Sequence, residues 1–168
     1  MIKNIYVFDF DGTLIDSTLP EEGKKQWAEH HGRAYPHLGW WGRSDSLDPK
    51  VFQLKPIPGI QAEYDRARKD PEGLVIMLTS RLEKLRKYVI HHLDDNDFIF
   101  DDYLFKRGKL EKSDRIDHLL LQYPEVEKVE IWDDRLKEIT LYNAWQPEAN
   151  VEVKIHFVED GGFKSYTK

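Results

Sequence analysis

Apolar residues along this chain fall into short unbroken runs separated by amphipathic stretches. Ile5-Tyr6-Val7-Phe8 is continuous, β-branched and aromatic, and stops at Asp9; it predicts a strand buried on both faces. Leu74-Val75-Ile76-Met77-Leu78, followed by Thr79-Ser80-Arg81, reads the same way. So does Val129-Glu130-Ile131-Trp132, followed by Asp133-Asp134-Arg135. Tyr103-Leu104-Phe105 is a weaker strand, and Val151 to Val158 alternates like an edge strand with one wetter face. Helical spacing fills the gaps. Ile60, Tyr64 and Ala67 share a face after Pro58-Gly59, and Leu82, Leu85, Val89, Ile90 and Leu93 form a stripe after Arg81. Ile116, Leu119 and Leu120 follow Ser113 or Asp114 as N-cap, and Leu136, Ile139 and Tyr142 begin a further helix. Strands alternating with helices predict an α/β fold with a mostly parallel sheet covered on both faces.

The stretch from Asp16 to Ile57 breaks this rhythm. It holds Pro, Gly, three histidines and the pair Trp40-Trp41, with little periodicity. The expected organisation is one domain over residues 1–168, with residues 16–57 inserted as a small cap or lid. Gly161-Gly162 to Lys168 is expected to fray.

Composition narrows the picture. Hydrophobic residues make up 40% and charged residues 33% of 168 positions, which suits a globular domain. The formal net charge of −6 disfavours a broad nucleic-acid groove but not a small phosphorylated substrate. With no cysteine there are no disulfides, thiolate metal sites or cysteine nucleophiles. The N-terminal apolar run is cut by Asp9 and Asp11, so no signal peptide or membrane segment is expected, and the setting reads as cytoplasmic. No protein partner is evident.

The chemistry collects where strands end. In an open parallel sheet, ligands bind beyond the carboxyl ends of the strands. Asp9 with Asp11, Thr79 with Ser80 and Arg81, and Asp133 with Asp134 and Arg135 should therefore meet at one edge. Four carboxylates gathered there repel one another unless a cation lies among them. An oxygen-only donor set suits Mg²⁺ rather than zinc, for which no paired histidine motif lies at these ends.

Asp9-Phe10-Asp11-Gly12-Thr13-Leu14, at the end of an N-terminal apolar strand, resembles the first motif of the haloacid dehalogenase-like superfamily. Leu78-Thr79 resembles the second motif and Asp133-Asp134 the fourth. The third is a lysine near a helix start, for which Lys112 is the choice and Lys109 and Lys106 the alternatives. The resemblance spans Ile5 to about Asn143 and implies a three-layer α/β/α Rossmann-like fold catalysing Mg²⁺-dependent phosphoryl transfer. It implies Asp9 as the nucleophile that forms an aspartyl-phosphate, and Asp11 as general acid and then base, its pKa raised by acidic neighbours. Thr79 and Lys112 would hold phosphate oxygens. Asp9, the Asp11 backbone carbonyl and Asp133 would hold the metal, and Asp134 would bind it through water or orient the lysine.

Two narrower resemblances bear on the substrate. Thr79-Ser80-Arg81 and Asp133-Asp134-Arg135 resemble motifs of polynucleotide kinase 3′-phosphatase domains, with Ser80 where those have glycine. Gly39-Trp40-Trp41 with Ser46-Leu47-Asp48-Pro49 is similar to the Swiss Army knife RNA repair-like phosphatases. They imply a phosphate on a nucleic-acid end or a nucleotide, touched by Ser80, Arg81 and Arg135, with Trp40 and Trp41 stacking on a base.

Plainer roles compete with these. Asp-Gly is a common turn, Arg81 and Arg135 can simply pair with nearby acids, and tryptophans more often pack than stack. His91-His92 points two ways from a helix, and Asp94-Asp95-Asn96-Asp97 lacks the glycine and glutamate of a calcium loop. A small-molecule phosphatase and a silent binding module are the competing functions.

Overall fold

The computed structural model describes residues 1–145, 150–159 and 162–165. Among the described residues six strands form one sheet: β1 (Asn4–Phe8), β2 (Gly73–Leu82), β3 (Asp102–Lys106), β4 (Lys128–Asp133), β5 (Glu152–Glu159) and β6 (Gly162–Ser165). Their order is β3-β2-β1-β4-β5-β6; the first five run parallel and β6 pairs antiparallel with β5. The helices are α1 (Pro20–His31), α2 (Ile60–Arg68), α3 (Arg86–Asp95), α4 (Lys112–Gln122) and α5 (Leu136–Ala144).

Strand periodicity divides the core into two layers. Tyr6 and Phe8 of β1 face α2 and α3, packing with Met77, Trp132, Tyr64, Val89 and Leu93. Phe8 and Trp132 stack 4.3 Å apart and nearly coplanar. Ile5 and Val7 face the other way, against Ile116, Leu119, Leu120, Ile139 and Tyr142 of α4 and α5. The result is helix, sheet, helix, as the alternation predicts. Among the described residues no helix is long and apolar enough to cross a membrane.

Residues 16–57 do not build a core apart. Trp40, Leu47, Phe52 and Leu54 join the layer that contains Phe8 and Tyr64. Helix α1 lies inside this stretch and gave no periodic signal, because its buried side is only Gly23 and Trp27. Its ends are marked: Pro20 at the first turn, Glu21 and Glu22 beside the helix N-terminus, and left-handed Gly32 after the last turn. Gly23 is there for close approach, since a Cβ on it would sit 2.2 Å from the Trp40 ring.

Four expectations about elements need correcting. Leu82 ends β2 and is exposed; the helical stripe starts only after a 3₁₀ turn at Glu83–Leu85. The N-cap of α4 is Glu111, which shares a capping box with Asp114. β5 is not an edge strand, because β6 covers its outer side. The expected frayed tail supplies that β6 at Gly162–Ser165, while Gly161 and residues 166–168 lie outside the described residues.

Candidate active site

Register brings the site together. β1 lies between β2 and β4, with Phe8 opposite both Met77 and Trp132. The next residues, Asp9, Leu78 and Asp133, therefore come level with one another, and the Asp9 amide donates to the Trp132 carbonyl at 3.0 Å. Lys112 begins α4 and comes to the same point. Its ammonium donates to Asp9 Oδ1 at 2.9 Å and to Asp133 Oδ2 at 2.6 Å, with all three side chains buried. Lys106 and Lys109 are exposed, and of the three lysines it is Lys112 that meets Asp9 and Asp133.

Each oxygen of the Asp133 carboxylate accepts a hydrogen bond, Oδ1 from the Arg135 amide at 3.0 Å. Asp134 differs: its Oδ1 is buried without a hydrogen-bond partner. Oxygens of Asp9, Asp133 and Asp134 lie within 4.8 Å of one another. Gly12 makes room for this, with φ +71° and a hypothetical Cβ only 2.1 Å from Asp134 Oδ2. As long as only protein groups face it, burial and then the Asp133 charge push the Asp9 carboxyl well above the usual range. Burial raises Asp134 as well. For Lys112 burial opposes the charge, but Asp9 and Asp133 outweigh it and hold its pKa well above the ordinary lysine value. Three carboxylates against one lysine leave two negative charges, and one buried oxygen is orphaned. That donor set fits a hard divalent cation such as Mg²⁺.

Asp11 lines the same cavity as Asp9 but stands outside this cluster. Arg81 grips it with both arms of the guanidinium, Nε to Oδ2 at 2.9 Å and Nη2 to Oδ1 at 2.8 Å, and Ser17 donates to Oδ1 at 2.6 Å. The neighbours of its carboxylate are thus a cation and a hydroxyl, not the acidic groups expected around it. The remaining Arg81 arm, Nη1, donates to the Trp41 carbonyl and to Ser46 Oγ, each at 2.6 Å. Arg81 therefore ties residues 16–57 to the end of β2, and its donors are largely committed before any substrate arrives. His92 of α3 adds a second tie, donating from Nε2 to the Leu47 carbonyl at 2.7 Å.

The other expected residues divide. Thr79 is buried, and its hydroxyl accepts from the Arg81 amide at 3.0 Å. Ser80 and Arg135 are exposed and line the cavity over Asp9. Trp40 does not reach that cavity: it is buried, donates to the Thr18 carbonyl at 3.0 Å, and packs edge-on against Tyr35 and Phe52. Its expected stacking role is corrected to a packing one. Trp41 is 39% exposed, lines the cavity, and has the Arg81 guanidinium 5.0 Å from its ring centre. Sequence reasoning passed over Arg115, which clamps the strand ends by donating to the carbonyls of Thr79 at 2.8 Å and Leu104 at 3.3 Å. It also passed over Tyr142, buried beneath Lys112. Both sit on the buried stripes of their helices, where only the three-dimensional neighbours distinguish them from core.

No family model matches the chain. An uncharacterized protein of Saccharomyces cerevisiae, YMR265C, is 24% identical over 172 residues, covering 86% of this chain. The chain spans 37% of that protein's length. Among solved structures, the haloacid dehalogenase-like family hydrolase SP0104 of Streptococcus pneumoniae is similar with a TM-score of 0.58 at 16% identity, over 90% of this chain and 83% of its own. The HAD domain of the effector Lem4 of Legionella pneumophila gives a TM-score of 0.49 at 15% identity, over 97% of this chain and 90% of that one. What is shared with SP0104 at that identity is architecture, and by architecture the chain has the Rossmann-like haloacid dehalogenase fold.

Proposed function

We propose that this chain is a Mg²⁺-dependent phosphomonoester hydrolase that works through a phosphorylated Asp9. The observation that carries the reading is the junction of Asp9, Lys112, Asp133 and Asp134 at the carboxyl end of the parallel sheet, open to a cavity. Asp9, Asp133 and Asp134 would hold the ion, whose charge offsets the clustered carboxylates and lets an anionic nucleophile meet an anionic phosphate. A carboxylate oxygen of Asp9 attacks phosphorus as the ester oxygen leaves. Lys112 neutralises charge spreading over the phosphoryl oxygens. Asp11, held as a carboxylate by the Arg81 fork and Ser17, takes the proton of the water that hydrolyses the acyl phosphate, while the leaving oxygen takes its proton from solvent. Residues 16–57 act as a cap whose Trp41 closes one side of the cavity and limits water.

The resemblance of Thr79-Ser80-Arg81 and Asp133-Asp134-Arg135 to polynucleotide 3′-phosphatase motifs points to nucleotides and nucleic-acid 3′ ends as first substrates. The test is phosphate release from a panel of 3′- and 5′-phosphorylated nucleotides, oligonucleotides and metabolite esters. Release should require Mg²⁺, stop on chelation and vanish in Asp9→Asn. Equal release by Asp9→Asn would refute the assignment.

A further inference from the structure

The cavity above Asp9 has a volume of about 910 Å³, far more than a phosphate needs and within the range of small-ligand sites. Its upper walls are apolar: Leu19 and Trp41 from the inserted stretch, Leu82 from the end of β2, Ile57 and Pro58 ahead of α2. Leu19, Trp41 and Leu82 are exposed large apolar residues, at 66%, 39% and 39%, gathered around one opening. Charge runs the other way from what a polyanion requires. Among the described lining residues the cations are Arg81, Lys112 and Arg135. Arg81 is engaged by Asp11, and Lys112 by Asp9 and Asp133. Asp16 is exposed on the rim and brings a further negative charge.

We infer that the cavity selects a monophosphate ester whose leaving group is flat, largely apolar and uncharged, the size of one aryl ring or one nucleoside. Trp41 is its stacking platform. The inference rests on the phosphomonoesterase reading above and decides within it, against a nucleic-acid strand. Trp41 suits the task because it is fixed from behind. Its carbonyl accepts from Arg81, and the guanidinium sits 5.0 Å from its ring centre, so little freedom is lost on binding. A nucleic-acid strand needs a cationic track for successive phosphates. Arg135 is the exposed cation among the described lining residues, and Asp16 and Glu159 add exposed carboxylates to the same lining.

The experiment measures kcat/KM with Mg²⁺ for p-nitrophenyl phosphate, a nucleoside 3′-monophosphate, the matching 3′,5′-bisphosphate, glucose 6-phosphate and a 3′-phosphorylated oligonucleotide. The aryl and nucleoside monophosphates should exceed the sugar phosphate by about tenfold or more, the scale of one stacking contact. The bisphosphate should fall roughly fivefold below the monophosphate, the scale of one exposed charge at close range. Trp41→Ala should collapse the aryl-to-sugar ratio, and Trp41→Phe should restore most of it. Asp16→Lys should raise bisphosphate turnover relative to monophosphate, a gain that misfolding cannot mimic. A sugar phosphate turned over as well as the aryl ester would overturn the platform. An oligonucleotide preferred over its mononucleotide, with steep salt dependence, would overturn the size and charge limits. Absence of release from every ester is a different result, and it refutes the underlying phosphatase reading instead.

Discussion

Strand β4 carries two buried acidic clusters three residues apart, and they are built on opposite principles. Glu130 faces the α2 side with no exposed side-chain surface. Arg66 at 2.7 Å, His156 at 2.7 Å, Lys128 at 3.3 Å and Lys154 at 3.9 Å surround this single carboxylate. Burial pushes its pKa up, but hydrogen bonds from His156 and Arg66 outweigh that and bring it down to about 2. On the other face Asp133 joins Asp9 and Asp134 around one lysine. There the pKa of Asp9 moves upward, because burial and like charge prevail. Protein cations answer the first cluster completely, as a structural ion group requires. The second is left negative at the open end of the sheet, the condition that an external cation and a phosphate together relieve.

The largest effect that separates the clusters is catalytic. Asp9→Asn should lower kcat by on the order of 10⁴-fold in a phosphate-release assay, as loss of a nucleophile does, while folded Glu130→Gln retains turnover. Next comes the lone lysine. Lys112→Met removes the cation from three clustered carboxylates, so chemical denaturation without metal should show a loss of about 3–5 kcal/mol. Added Mg²⁺ should recover part of that loss.

A smaller effect tests the surplus charge directly. At a hundred times its dissociation constant, Mg²⁺ should stabilise the wild-type protein by about 2.7 kcal/mol, seen as a calorimetric shift that EDTA reverses. Asp134→Asn should blunt the shift, and Glu130→Gln should leave it intact. The smallest effect belongs to the structural cluster. The folded pKa of Glu130 is depressed from its ordinary 4.5 to about 2, so its contribution is present above pH 4.5 and lost as pH falls towards 2. That contribution is on the order of 1–3 kcal/mol, and Glu130→Gln should flatten this acid slope in denaturation curves whether or not Mg²⁺ is present.

The cluster of Asp9 and Asp133 was legible in the sequence because strand-end residues inherit their positions from register. Once Ile5–Phe8, Leu74–Leu78 and Val129–Trp132 are neighbouring parallel strands, Asp9 and Asp133 come level with each other; Thr79 lies one residue beyond Leu78, which is the residue level with them, and its hydroxyl accepts from the Arg81 amide instead. The Lys112 assignment rested on its place at a helix start, and its bonds to Asp9 and Asp133 are what such a place allows. The mouth was not legible, because distant partners set it. Nothing local says that Arg81 turns to Asp11 and residues 41 and 46, or that Trp40 packs over Gly23 while Trp41 faces the cavity. Glu130 reads as one acid in an apolar run, and its partners Arg66, Lys128, Lys154 and His156 come from α2, β4 and β5. Leu82 shows the remaining ambiguity, since a residue between a strand and a helix fits either period.

The most direct measurement is mass spectrometry of protein quenched in acid during turnover with Mg²⁺ and a fast substrate. A phosphoryl group should appear on the peptide that contains Asp9, be removed by hydroxylamine as an acyl phosphate is, and be absent from Asp9→Asn. Turnover with no covalent adduct under any quench, or with phosphate on another residue, would contradict the account.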